Sequence, residues 1–127
     1  MIIVTGGNGF IGKKVISIDP EKFITLDPKT KLNFRNGFEL DKNFVEKFQI
    51  KSALLLGGIT RFPLIRENPD KAFDVNVNQL LKTINNLSQL NVHIVFISSE
   101  SVFSGTSKKY KENDNPKPIF LYGYMKY

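Results

Sequence analysis

The chain has 127 residues, 41% of them hydrophobic and 24% charged, a balance that suits one globular domain and excludes an intrinsically disordered segment. It contains no cysteine, which excludes disulfides and thiolate metal sites. The net charge is +6, but the densest basic cluster, Lys108, Lys109 and Lys111, lies in a polar stretch with Glu112 and Asp114 and reads as a solvated loop rather than a nucleic-acid surface.

Met1-Ile2-Ile3-Val4 runs straight into glycines. It lacks the basic start and long apolar region of a signal peptide, and no apolar run approaches a membrane span, so a cytoplasmic protein is expected. Ile2-Ile3-Val4 suits a buried parallel strand. A helix follows from Phe10 to about Ser17, ended by Asp19-Pro20. Phe23-Ile24-Thr25-Leu26 is the second strand, and Lys31-Leu32-Asn33-Phe34 a marginal one. Asp41 caps a helix carrying Phe44, Val45 and Phe48 at helical spacing. Ser52-Ala53-Leu54-Leu55-Leu56 is a strand ended by Gly57-Gly58. Asn68 as cap and Pro69 as first helical residue open the longest helical pattern, with a broad apolar face through about Leu90. The last clear strand covers residues 92–97 and ends in Ser98-Ser99; its His93, the single histidine, has no second ligand type beside it and reads as structural, with no metal site. Residues 105–118 are polar and loop-like, and residues 119–127 begin a helix. Strands alternating with helices imply an α/β parallel sheet with right-handed crossovers, with ligands bound beyond the strands' carboxyl ends.

Gly6, Gly9 and Gly12 are spaced G-x-x-G-x-x-G between a strand and a helix. In a dinucleotide loop glycine permits the tight turn, lets the backbone approach a pyrophosphate and packs the helix against the strand. The N–H groups of the helix start then face the phosphates. Asp27 closes the second strand, where an acid accepts hydrogen bonds from an adenosine ribose; Asp27-Pro28 is equally a turn dipeptide. Tyr122 and Lys126 form Y-x-x-x-K, which places both on one helical face. An ammonium beside a phenol favours the phenolate and lowers the tyrosine pKa.

In this order the motifs resemble the extended short-chain dehydrogenase/reductase family. Thr5-Gly6-Gly7-Asn8-Gly9-Phe10-Ile11-Gly12 is similar to its T-G-x-x-G-x-x-G loop, Gly57-Gly58 to its strand-end small pair, and Asn68-Pro69 with Val75-Asn76-Val77 to its N-P…V-N-V helix. Ile97-Ser98-Ser99-Glu100-Ser101-Val102-Phe103 resembles its I-S-S-x-x-V-[YF] segment, and within the family the last five residues resemble the dTDP-4-dehydrorhamnose reductase type. The resemblance implies a Rossmann-like sheet with flanking helices and NAD, or NADP, as cofactor. It implies cofactor contacts from Thr5, Gly6, Gly9, Phe10, Ile11, Gly12, Asp27, Gly57, Gly58, Asn76 and Lys126, and a nucleotide-sugar substrate. Tyr122 would exchange the proton, Lys126 would lower its pKa and bind the nicotinamide ribose, and Ser99 would orient the reacting oxygen.

The chain departs from the family in three ways. It ends one residue after Lys126, where family enzymes continue. Residues 1–127 are therefore expected to form the N-terminal dinucleotide-binding part of a sheet incomplete at its C-terminus, without the substrate domain. A homo-oligomer or a second chain would then supply the missing half. The first helix is short, and Phe38 in Gly37-Phe38-Glu39-Leu40-Asp41 replaces the acid of a G-D-x-x-D segment. Two functions follow: a reductase, epimerase or dehydratase acting on a nucleotide sugar, or a non-catalytic dinucleotide-binding or interaction module.

Overall fold

The computed structural model describes residues 1–26, 40–106 and 109–127. Asp27, the marginal strand at residues 31–34, Phe38 and its neighbours 37 and 39, and Lys108 lie outside the described residues. The chain divides into two units, Met1–Gly58 with Asn78–Ile97, and Ile59–Val77 with Ser98–Tyr127.

The first unit is built on a parallel sheet of order β2-β1-β3-β4, with β1 at Ile2–Thr5, β2 at Phe23–Leu26, β3 at Ser52–Leu55 and β4 at His93–Phe96. β1 pairs on both sides, and Ile3, Val4 and Thr5 are fully buried, as its β-branched composition requires. Thr5 stands opposite Leu26 on one side and Leu55 on the other, so these strands end flush. The sheet grows in opposite directions from β1 and β3, which makes the gap between their carboxyl ends a topological switch point.

Among the described residues three α-helices serve this unit: α1 (Phe10–Ile16), α2 (Lys42–Lys47) and α5 (Gln79–Gln89). Asp41 caps α2 as expected, accepting from the Phe44 N–H at 2.6 Å. Leu80 and Leu87 of α5 join Ile3, Ala53, Leu55 and Val92 in the core. Burying such side chains contributes about 1.5–3 kcal/mol each. The α5 face is narrower than its sequence suggests, because Leu81 is half exposed. Asn86 of the same helix brackets Leu40, accepting its N–H at 2.7 Å and donating to its carbonyl at 3.0 Å. His93 opens β4 and is exposed.

The second unit contains α3 (Phe62–Glu67), α4 (Pro69–Phe73), a π-helical stretch (Asp74–Asn78) and α6 (Leu121–Lys126). Asn68 caps α4 by accepting from the Lys71 N–H. The sequence led us to expect one α-helix from Pro69 to about Leu90; it is instead α4, the π-helical stretch and α5. α3 was not anticipated, because six residues with Pro63 in the first turn carry too little helical periodicity. Ile65, Ala72 and Met125 form the small core, with Ile59, Val77 and Tyr122 packed around it. A 3-10 turn, Glu100–Val102, lies so close to α6 that a Cβ on Gly123 would strike the Ser101 carbonyl. Among the described residues no helix is long and apolar enough to cross a membrane.

The Leu40 peptide loses both partners in Asn86→Ala. The variant is expected to be less stable by about 1–3 kcal/mol, seen as a lower urea midpoint at unchanged slope.

Candidate active site

The glycines of the first loop have separate jobs. Gly6 has φ +70°, and a Cβ there would lie 2.9 Å from the Gly57 N and 3.0 Å from its Cα. The Thr5 hydroxyl accepts the Gly57 N–H at 3.0 Å, and the Thr5 carbonyl accepts from Leu56. The turns after β1 and β3 are thus held together at the switch point. Gly12 has no room either: its Cβ would strike the Gly6 carbonyl and lie 2.6 Å from the Gly7 Cα. Gly9 differs. Its φ of −73° suits any residue, and an added Cβ meets only the Gly6 carbonyl, at 3.1 Å. Gly9 is exposed, caps α1 without a side chain, and leaves open space above the turn. The next two residues, Phe10 and Ile11, are 96% and 56% exposed.

In the second unit, α6 carries Tyr122 and Lys126 one turn apart, with the Lys126 Nζ 6.0 Å from the Tyr122 ring centre. Burial raises the Tyr122 pKa, and the Glu100 carboxylate raises it further; burial lowers the Lys126 pKa. This corrects the expectation that Lys126 draws the tyrosine toward phenolate. The charge that acts on Tyr122 is negative, and both side chains are pushed toward their neutral forms. Ser99 caps the 3-10 turn, its hydroxyl accepting from Ser101 N–H at 3.2 Å and standing 3.4 Å from a Glu100 carboxylate oxygen. The neighbouring Ser98 hydroxyl donates to the Lys126 carbonyl at 3.1 Å. The segment around Ser99 therefore lies against α6 at Gly123 and at Lys126.

Asn76 sits inside the π-helical stretch, almost fully buried. Its amide accepts the Ile59 N–H at 2.7 Å and donates to the Ile59 carbonyl at 2.8 Å. The amide also approaches the Met125 sulfur at 3.8 Å. The sequence marked Asn76 as a cofactor contact, and in this geometry its side chain fixes the backbone just after Gly57-Gly58. Two functional elements escaped sequence reading. Glu100 carries no motif signal as an electrostatic partner of Tyr122. Phe62, whose ring meets Tyr122 edge-on at 5.9 Å, lies on the unanticipated α3.

The family model described as RmlD substrate binding domain matches residues 1–127. Methionine adenosyltransferase 2 subunit beta of Bos taurus is 27% identical over 137 residues, covering 98% of this chain and 40% of that protein. Among solved structures, the dTDP-4-dehydrorhamnose reductase of Yersinia enterocolitica superposes with a TM-score of 0.81 at 26% identity, over 98% of this chain and 44% of that one. The dTDP-4-dehydrorhamnose reductase of Bacillus anthracis, in complex with NADP, shares the fold with a TM-score of 0.80 at 24% identity, over 98% and 45%. The chain spans about 40% of the length of the curated relatives it matches.

Replacing Glu100 by Gln removes the charge that opposes the phenolate. The Tyr122 titration midpoint is expected to fall in E100Q yet stay above that of an ordinary tyrosine, since burial remains. Phenolate absorbance, with Tyr122→Phe subtracted, measures it; an unmoved midpoint would show that the carboxylate does not reach the phenol.

Proposed function

The chain belongs to the RmlD substrate binding domain family, and on that premise we propose that it is the cofactor-binding part of an NAD(P)-dependent reductase, epimerase or dehydratase acting on a nucleotide sugar, of extended short-chain dehydrogenase/reductase type. The observation that carries this reading is Gly9. Gly6 and Gly12 are required by the protein's own packing, whereas Gly9 has an ordinary φ and an added Cβ would meet one atom alone, the Gly6 carbonyl, in a tight contact at 3.1 Å. A glycine there keeps the approach to the start of α1 clear, which is what a pyrophosphate needs. The exposed Phe10 and Ile11 lie where a dinucleotide would cover them. The relatives that carry the same fold include an NADP complex.

A nicotinamide cofactor held at this loop would supply the hydride chemistry. The chain's own residues handle the proton. Tyr122, held neutral by burial and by Glu100, is suited to donate its hydroxyl proton to a carbonyl oxygen as that carbon is reduced. Lys126 neighbours the phenol on the same face, and its depressed pKa eases proton return to the tyrosine. Ser99 is in reach of the same helix to hold the reacting oxygen. Thr5, Gly6, Gly9, Phe10, Ile11, Gly12, Gly57 and Gly58 would border the cofactor, Asp27 its ribose, and Asn76 would act by fixing Ile59. The protein is placed in the cytoplasm in this reading.

A second reading is a binding subunit that holds a dinucleotide without turnover. It is favoured by the 27% identity to a protein named as a subunit of methionine adenosyltransferase 2. The two readings part on Tyr122. Carbonyl reduction that is lost in Tyr122→Phe supports the enzyme; cofactor binding with no turnover, unchanged in Tyr122→Phe, supports the subunit.

Gly9 and Gly12 give the direct test of the cofactor loop. Gly9→Ala is expected to cost less than about 1 kcal/mol of stability and to weaken NADH or NADPH binding about tenfold or more by calorimetry. Gly12→Ala is expected to cost about 1–3 kcal/mol of stability by overpacking. Equal cofactor affinity in wild type and Gly9→Ala would remove the main support for the reading.

A further inference from the structure

Beside Tyr122, within the second unit, α3, Pro69 of α4 and the start of α6 line an open cavity of about 330 Å³. Its wall is apolar and aromatic. Phe62 meets Phe120 and Tyr122 edge-on, with ring centres 6.0 and 5.9 Å apart. Such edge-to-face clusters hold each ring in a defined orientation and leave C–H edges and ring faces for a ligand. One charged side chain, Arg66, completes the lining. Arg66 forms no ion pair with any described residue, so its guanidinium is available to an anion.

We propose that this cavity is a subsite for an organic phosphate, with Arg66 pairing the phosphate and the ligand's ring lying against Phe62 and Phe120. A neutral apolar ligand would leave Arg66 unused, and inorganic phosphate would leave the aromatic wall unused. Both features together specify a ring that carries an anion. The guanidinium is planar and weakly hydrated, and its fork matches phosphate oxygens in a bidentate pair. Carboxylates share that geometry. The choice of phosphate rests on the nucleotide-sugar reading above, in which the ring presenting its carbonyl to Tyr122 also bears a phosphate. The cavity lies at the small end of ligand sites. It has room for a sugar phosphate, and the remainder of the nucleotide would extend outside it. In this arrangement Arg66 and Phe62 select the substrate: Arg66 sets where the phosphate ends, and Phe62 sets how the ring faces the phenol.

Phenyl phosphate, benzoate and inorganic phosphate are the probes, titrated into the full chain with ring and guanidinium NMR signals as the readout. Phenyl phosphate is expected to perturb Phe62, Phe120, Tyr122 and Arg66 together and to bind more tightly than either other probe. Arg66→Gln should weaken it about tenfold, and Arg66→Lys should restore only part of the loss. Arg66 is exposed, so these variants keep the fold. Unchanged affinity in Arg66→Gln overturns the proposal, as does benzoate binding as tightly as phenyl phosphate. The subsite and the oxidoreductase reading fail separately. Phenyl phosphate bound in a protein that takes no nicotinamide cofactor supports the subsite and removes the enzyme. Cofactor bound with no response to phenyl phosphate removes the subsite alone.

Discussion

The first unit depends on how closely the turn after β1 approaches the turn after β3. At Gly6 the backbone passes Gly57 with no space for a Cβ, and the buried Thr5 hydroxyl ties down the Gly57 N–H at 3.0 Å. One hydrogen bond to a buried hydroxyl and one missing Cβ thus fix the crevice at the switch point, where open α/β sheets bind ligands. Gly12 extends the constraint by letting α1 start hard against the Gly6 carbonyl. The sheet explains why the strands are there, and this contact explains why the space beyond them has a defined shape.

Loops around the sheet and helices are held by a repeated device. Asn86 brackets the N–H and carbonyl of Leu40, and Asn76 does the same for Ile59. A primary amide is the side chain that can donate and accept in one plane, so it can substitute for a neighbouring strand over one residue. Each bracket satisfies two backbone groups that burial would otherwise leave costly. The π-helical stretch matters here, because an extra residue in the turn changes which side chains point inward. There Val75 and Asn76, adjacent in sequence, are both buried.

Much of the fold was legible in the sequence. The four strands of the described residues, the Asp41 and Asn68 caps, the first helix and the helix holding Tyr122 and Lys126 follow from β-branched runs, capping residues and period. What was not legible has physical causes. A six-residue helix such as α3 has under two turns in which periodicity can register. The π-helical stretch lies inside a pattern that a 3.6-residue period already fits approximately. Apolar residues at helical spacing overstated the buried face, leaving Phe73 and Leu81 half exposed. The sequence made Tyr122 and Lys126 neighbours on one helix, as they are, but their electrostatics were not legible in it. Y-x-x-x-K states that a phenol and an ammonium share a face, and it is silent on desolvation and on Glu100.

That electrostatic difference bears on which form of the phenol is present. A tyrosine drawn toward phenolate would be primed to take a proton, as oxidation of an alcohol requires. Tyr122 is instead held protonated by its partial burial and by Glu100, while Lys126 is shifted toward the neutral amine. A phenol with a raised pKa keeps its proton more firmly than an ordinary tyrosine, and a lysine with a lowered pKa gives its proton up more readily. An anionic ligand near the phenol would act in the same sense as Glu100, raising the tyrosine pKa further and favouring the neutral donor. Carboxylate, burial and, in the proposed function, a substrate phosphate would all act in one sense, holding the phenol in its neutral form.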